Sequence, residues 1–277
     1  MPIALEEIIA GVREELAERK RRVPEPQLAE RIAALPPAPS LRRALSETAR
    51  PRVIAEIKRR SPSAGALADD LDPVAQARRY AEAGAAAISV LTEPRHFGGS
   101  LADLEAVARS VELPVLRKDF VLDPYQLLEA RAHGAAAVLL IAAVLEPARL
   151  EALIERAHEL GLEVLVEVHE QAEAVALYPF AHRIDAVGVN NRCLRTMRVS
   201  LETARRLAPA LPPGMPRVAE SGIARPADIA ALEPLGYDAF LVGSALVRAP
   251  DPAAMLRWLR SDVTAIGAPG PGQERTA

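Results

Sequence analysis

The feature that most restricts what this chain can become is a rhythm that begins at residue 51. A short apolar run, a turn and an amphipathic segment of helix length follow one another eight times. The runs are 53–58, 86–91, 114–118, 137–142, 163–168, 186–190, 216–220 and 238–243. The helix-length segments lie near 72–83, 101–109, 123–133, 147–160, 170–177, 200–208, 226–235 and 252–260. Several open on a proline, as in "LDPYQ", "EPARL" and "ARPAD", where the missing N–H costs nothing. Many end on glycine, as in "AEAGAAAISV" and "RAHGAAAVLL", which suits a left-handed helix C-terminus. Strands alternating with helices pair in parallel through crossover connections. An open doubly wound sheet is the competing architecture. Eight repeats within about 220 residues favour the closed (β/α)8 TIM barrel, for which roughly 250 residues is typical.

Residues 1–50 stand outside the rhythm. Leu5, Ile8, Ile9, Val12 and Leu16 recur at helical spacing opposite a charged face, and "SLRRALSE" reads as another short helix. The expected organisation is an N-terminal helical extension over 1–50 that covers one end of the barrel, a catalytic barrel over 51–262 and a disordered tail over 263–277. A net charge of −3, with acids and bases interspersed, argues against nucleic acid as a partner. The apolar run "AAAVLLIAAVL" is too short to span a bilayer, and no signal peptide is visible. The single cysteine, Cys193, excludes an internal disulfide framework and fits a reducing cytoplasm. A cytoplasmic protein without membrane or nucleic-acid partners is expected. Its oligomeric state stays open, with a monomer among the options.

Of 34 basic residues only three are lysine: Lys20, Lys58 and Lys118. A chain that uses arginine for generic positive charge retains lysine where an ammonium is needed, because an ammonium shifts its pKa and gives up a proton while a guanidinium does not. Two of the three fall where strands end. In "VIAEIKRR" the charged Glu56 and Lys58 are two apart, so they point to one face of a strand. The run "PVLRKDF" ends at Lys118 and Asp119, "EVLVEVH" at Glu167, "AVGVNNR" at Asn190 and Arg192, and "RVAESG" at Glu220 and Ser221. Two residues earlier on the same faces stand Ile54, Leu116, Leu165, Gly188 and Val218, all apolar or small. Each strand therefore fills a core lower down and turns polar at its C-terminal end, where barrels of this kind place their active sites. Buried charges cost several kcal/mol each unless compensated, so five such strand ends read as one mutually compensating acid–base site.

A phosphorylated small molecule is the expected ligand. "ESGI" after the seventh run and "GSALV" after the eighth each put glycine beside serine before a helical turn, and barrels often build an anion site from these two loops. Gly222, Gly243 and Ser244 are the candidates, with Ser61 of "SPSAG" as a third wall. Phe97 and Phe120, two of only nine aromatic residues, lie just beyond strand ends, where they can cover a flat apolar group. The five histidines, His96, His133, His158, His169 and His182, show no metal-ligand spacing, so no metal is expected, and neither a P-loop nor a dinucleotide fingerprint points to an organic cofactor.

Taken in order, "VIAEIKRRSPSAG", "LTEPRHFGGS", "PVLRKDF", "VLVEVH", "VGVNNRCL", "VAESGI" and "AFLVGSALV" resemble the indole-3-glycerol phosphate synthase family. The resemblance runs from the first helix to about residue 260. It implies a (β/α)8 barrel with an N-terminal helical extension, a carboxy-lyase of tryptophan biosynthesis, and 1-(2-carboxyphenylamino)-1-deoxyribulose 5-phosphate as substrate. It also implies Lys118 as general acid, Glu167 in proton transfer during dehydration, and Lys58 on the substrate carboxylate or as second acid. Glu56, Asn190 and Glu220 would orient these groups. Ser61, Gly222, Gly243 and Ser244 would hold phosphate, Phe97 and Phe120 the anthranilate ring, and Arg192 and Ser221 other parts of the substrate. Cys193 stands where the family usually has an acid, and Ala64 where it has a basic or polar residue. Two rivals remain: a Schiff-base aldolase with Lys118 as nucleophile, and a non-catalytic phospholigand-binding barrel.

Overall fold

The computed structural model describes residues 5–62, 65–68 and 70–261. Ala64, the boundary at 262 and the expected tail over 263–277 lie outside the described residues. Eight strands alternate with helices: β1 (Arg52–Ile57), β2 (Ala87–Leu91), β3 (Val115–Lys118), β4 (Ala137–Ile141), β5 (Glu163–Val168), β6 (Ala186–Asn190), β7 (Arg217–Glu220) and β8 (Ala239–Val242). All pair in parallel with their sequence neighbours, and β8 closes the barrel on β1 with Val53 opposite Phe240. The open-sheet alternative is thereby excluded.

Strand periodicity divides the apolar residues into two layers. Ile54, Leu116, Leu139, Leu165, Val218 and Leu241 fill the barrel interior. Val53, Ala55, Val138, Leu140, Val164 and Val166 face outward under the helices. A fully buried side chain of this size contributes about 1.5–3 kcal/mol, so the two layers together dominate the stability. The helices begin where proline and a capping carboxylate coincide. Asp72 accepts the N–H of Val74 and Ala75 at the start of α4 (Pro73–Glu82). Asp123 caps α7 (Pro124–Ala132), and Gln126 accepts the Asp123 N–H in return. Each such cap is worth about 1 kcal/mol. Helices of this set end on left-handed glycines, Gly84 at φ +87° and Gly134 at φ +82° among them.

The extension forms α1 (Leu5–Arg22), α2 (Glu25–Ala33) and α3 (Leu41–Glu47). It reaches both ends of the barrel, where the sequence suggested one. Leu5 and Ile8 of α1 stand at the mouth, whereas Leu41 and Leu45 of α3 pack beneath the interior residues. At that lower end Ser40 Oγ and the Arg42 N–H donate to Glu163, the first residue of β5, at 2.6 and 2.7 Å. Helix length explains the span. The 18 residues of α1 extend about 27 Å, enough to run down the barrel side. There Leu16, with Leu28 of α2, packs against Tyr125 and Leu128 of α7.

Candidate active site

Above the apolar interior, the strands deliver the charges that the sequence singled out. A cavity of about 560 Å³ opens at the C-terminal ends of the strands. Its lining includes every one of the sequence candidates: Glu56, Lys58, Ser61, Phe97, Lys118, Phe120, Glu167, Asn190, Arg192, Glu220, Ser221, Gly222, Gly243 and Ser244. Asp119, named with Lys118 at the end of β3, does not join them. It turns to the outside of the barrel, where it meets Arg117 and Thr92 at 2.8 and 2.6 Å.

Lys118 is the hub. Its Nζ lies 3.9 Å from Glu56 Oε2, 3.9 Å from Glu167 Oε2 and 3.8 Å from Glu220 Oε2. Lys58 Nζ meets the other Glu56 oxygen at 2.5 Å. Asn190 Nδ2 donates to Glu167 Oε2 at 3.1 Å. Burial works against the Lys118 ammonium, but Glu167, Glu220 and Glu56 outweigh it and raise its pKa. For Glu56 burial pulls upward, yet Lys58 and Lys118 prevail and the carboxyl stays below its usual range. Glu167 behaves alike, held down against burial by Lys118 and His169. Glu220 goes the other way: burial, then the neighbouring Glu167 charge, raise it well above the ordinary carboxyl value. Among the described residues no hydrogen-bond donor reaches either Glu220 oxygen, and its close polar neighbour is the Glu167 carboxylate. The cluster thus holds ammonium, carboxylate and carboxylic acid side by side, the combination that acid–base chemistry near neutral pH requires.

Two glycines make room for it. A Cβ on Gly188 of β6 would collide with Glu220 Oε1, and one on Gly243 would collide with Glu56 Oε1 and crowd Lys58. Gly243, expected only as a phosphate contact, therefore also vacates the space that the Glu56–Lys58 pair fills. On the far wall, Ser221 and Gly222 both adopt left-handed backbone, at φ +63° and +83°. Such a conformation is uncommon for serine, and Asn191 Nδ2 holds the Ser221 carbonyl in place at 3.0 Å. Beyond Gly243 begins the short helix α12 (Ser244–Val247), whose first N–H groups have no intrahelical acceptor. Phe97 and Phe120 lie across the cavity with ring centroids 6.5 Å apart.

Among the lining or neighbouring residues that escaped the sequence reading, four stand out. Leu5 and Ile8 come from the extension, and no local pattern ties them to the mouth. Arg248 lines the same cavity, but in a chain rich in arginine nothing marks it. His169 was weighed only as a metal ligand. Its Nε2 lies 3.3 Å from Glu167 Oε1, and the i, i+2 spacing in "EVH" was the available signal. Lys20, in contrast, has no part in the site: it pairs with Asp123 at 2.8 Å and lies over the Tyr125 ring.

A parallel eight-stranded barrel with a buried Lys–Glu cluster in a cavity at the C-terminal ends of its strands has the architecture of a barrel enzyme. The family follows from residues 5–259, which match the model of the indole-3-glycerol phosphate synthase family; the chain belongs to this family of carboxy-lyases. A Parafrankia protein named indole-3-glycerol phosphate synthase is 54% identical over 251 residues, covering 90% of this chain and 92% of that protein. Indole-3-glycerol phosphate synthase 1 of Streptomyces coelicolor is 49% identical over 263 residues, 95% of each. Among solved structures, a 3-hexulose-6-phosphate synthase superposes with a TM-score of 0.60 at 18% identity, covering 76% of this chain and 98% of that one. The thiamine phosphate pyrophosphorylase of Pyrococcus furiosus does so with 0.58 at 20%, covering 80% and 96%. These last two likenesses concern the fold alone. Among the described residues no helix is long and apolar enough to cross a membrane.

Proposed function

We propose that the mouth cluster runs the family's ring closure by moving protons among Lys118, Glu167 and Lys58, with no group covalently attached to the enzyme. The substrate is 1-(2-carboxyphenylamino)-1-deoxyribulose 5-phosphate, and the products are indole-3-glycerol phosphate, CO2 and water. Lys118 is the general acid: it protonates the ketone oxygen as the aromatic carbon attacks. The observation that carries this reading is the approach of three carboxyl groups to its Nζ within 3.9 Å, of which ionised Glu56 and Glu167 keep it charged. A Schiff-base nucleophile needs a neutral amine, so the same electrostatics disfavour the aldolase rival. Glu167, ionised and buried, takes a proton from carbon during dehydration. Lys58 pairs with the substrate carboxylate or assists departure of the hydroxyl.

The remaining assignments concern position. Glu56, Asn190 and Glu220 orient the acids and the ribulose hydroxyls. Ser61, Gly222, Gly243 and Ser244 hold the phosphate, and Arg192 and Ser221 complete the wall. Phe97 and Phe120 bracket the aryl ring. Anchoring phosphate at one end and carboxylate at the other bends the flexible chain over the ring, and such pre-organisation is worth several kcal/mol. The free thiol of Cys193 supports a reducing, cytoplasmic site of action. The test is fluorescence detection of indoleglycerol phosphate with the Lys118→Ala variant. Ring closure should be lost while binding of a phosphate-bearing ligand persists; near-normal turnover, or a borohydride-trapped adduct on Lys118 in the unaltered enzyme, would overturn the assignment.

A further inference from the structure

We propose that His169, backed by Glu173, is the proton route that joins the buried acid–base cluster to solvent through a second cavity beside the mouth. The proposal rests on the assignment of Glu167 and Lys118 as proton-transfer groups. The reaction's balance demands such a route. The substrate carries a carboxylate charge that neither CO2, water nor the product retains, so each turnover takes up one proton. Two protons go to the ketone oxygen, one to make the hydroxyl and one as it leaves as water. Glu167 recovers one of them from carbon, and the other comes from outside. Yet Glu167 and Glu220 are each only 1% exposed.

The geometry offers a path. Glu167 uses its two oxygens for different partners: Oε2 faces Lys118 and Asn190, while Oε1 faces His169 Nε2 at 3.3 Å. The other ring nitrogen, Nδ1, lies 3.8 Å from Glu173 Oε2. That oxygen is held in place by the N–H groups of His169 and Glu170, at 2.6 and 3.3 Å. The imidazole is buried, and among the described residues neither nitrogen is engaged in a hydrogen bond, so both stay available to the two flanking carboxylates. His169 and Glu173 also line a second cavity of about 830 Å³, which shares Asn190 and Arg192 with the first. Glu167 lines the first cavity and His169 the second, so this pair spans the wall between them.

The transfers balance step by step. A hydronium ion or buffer acid reaching the second cavity protonates the Glu173 carboxylate, which passes that proton to Nδ1. The imidazole then releases its Nε2 proton to Glu167 Oε1, ending in the alternative neutral tautomer. Glu167 gives its proton from Oε2 to the neutral Lys118 amine left by the ring-closing step and is a carboxylate again before dehydration; the proton it then takes from carbon returns to the lysine that protonated the departing hydroxyl. Exchange with water through the second cavity restores the first tautomer.

His169→Gln keeps hydrogen-bonding capacity but cannot relay a proton, and His169→Gly opens space for added imidazole. For His169→Gln, kcat should fall at least about 10-fold, within the range known for acid–base groups. KM should stay within about 2-fold, with a larger solvent deuterium effect on kcat. Added imidazole should restore turnover of His169→Gly. In weakly buffered solution with an indicator dye, proton uptake should slow in step with product formation. An unchanged kcat and isotope effect in His169→Gln would overturn the relay, as would the absence of imidazole rescue in a His169→Gly protein whose circular dichroism matches the parent. Glu167→Gln separates the two readings. If it keeps normal turnover, the Glu167 assignment itself fails; if it is inactive while His169→Gln is normal, only the relay fails. Because His169 acts through Glu167, the double variant should be no slower than Glu167→Gln alone.

Discussion

Arg117 and Lys118 are neighbours on β3, yet they serve opposite faces of the barrel wall and belong to opposite kinds of charge cluster. Arg117 points outward and is saturated. It donates to Thr92 Oγ1 at 3.1 Å, the Gln126 carbonyl at 2.6 Å and Asp119 at 2.8 Å, and it pairs with Glu129 at 3.4 Å. Glu129 in turn receives Arg19 of α1 at 2.7 Å, so the network ties extension, strand and α7 together. Lys118 points inward and meets its three carboxyl groups only at 3.8–3.9 Å, one of them, Glu220, reached by no hydrogen-bond donor among the described residues. A structural cluster closes on itself; a catalytic one keeps valences open for a ligand. Both clusters are largely withdrawn from solvent, with the Arg117 side chain 1% exposed and that of Lys118 16%, so burial of charge by itself distinguishes them poorly. Satisfaction distinguishes them well.

The comparison breaks if the two positions respond alike. Lys118→Ala should cost the most activity, about 10²–10⁴-fold in kcat. Its loss of stability should be smaller than at Arg117, because the freed carboxylates neutralise by taking up protons; steady-state kinetics beside a denaturant melt checks both. Arg117→Met should reverse the pattern. It strands Asp119 and Glu129 without a cation, at a cost of about 3–5 kcal/mol by urea unfolding. The folded fraction of that variant should lose less activity than Lys118→Ala.

Glu220→Gln sharpens the contrast from the other side. Glu220 holds its proton more tightly folded than unfolded, so stability falls as the pH rises from the unfolded value, near 4.5, toward the folded one. A glutamine carries no such penalty. The variant should gain about 1 kcal/mol or more at pH 7 while losing activity, and the gain should vanish near pH 4, where both states are protonated. No gain at pH 7 would mean that Glu220 is better accommodated than its missing partners indicate. Lys20→Arg, at an exposed pair outside both clusters, should change stability by less than about 0.5 kcal/mol.

Much of this was legible beforehand, for definite physical reasons. The barrel was written in the alternation of strand and helix, and the mouth in the period of two that put Ile54, Glu56 and Lys58 on one face. The lysine bias pointed to Lys58 and Lys118, which the strands bring into one cavity, but was silent on Lys20, whose site an arginine would suit. Arg117 was invisible because its partners come from the far ends of other elements, Thr92 after β2 and Glu129 in α7. The unsatisfied state of Glu220 likewise depends on what three other strands bring near it. Tertiary partners at large separation leave no local trace. The two-ended reach of the extension was hidden for the same reason.

Closure of the barrel also orders events during synthesis. Val53 waits for Phe240, about 190 residues later, and at 5–20 residues per second the ribosome needs roughly 10–40 s to deliver it. Until then one flank of β1 has no strand to pair with, and the backbone at Gly243 that leaves room for Glu56 and Lys58 has yet to arrive. The earliest strand of the barrel and half of its charge cluster are therefore the parts of the nascent chain that stay incomplete longest.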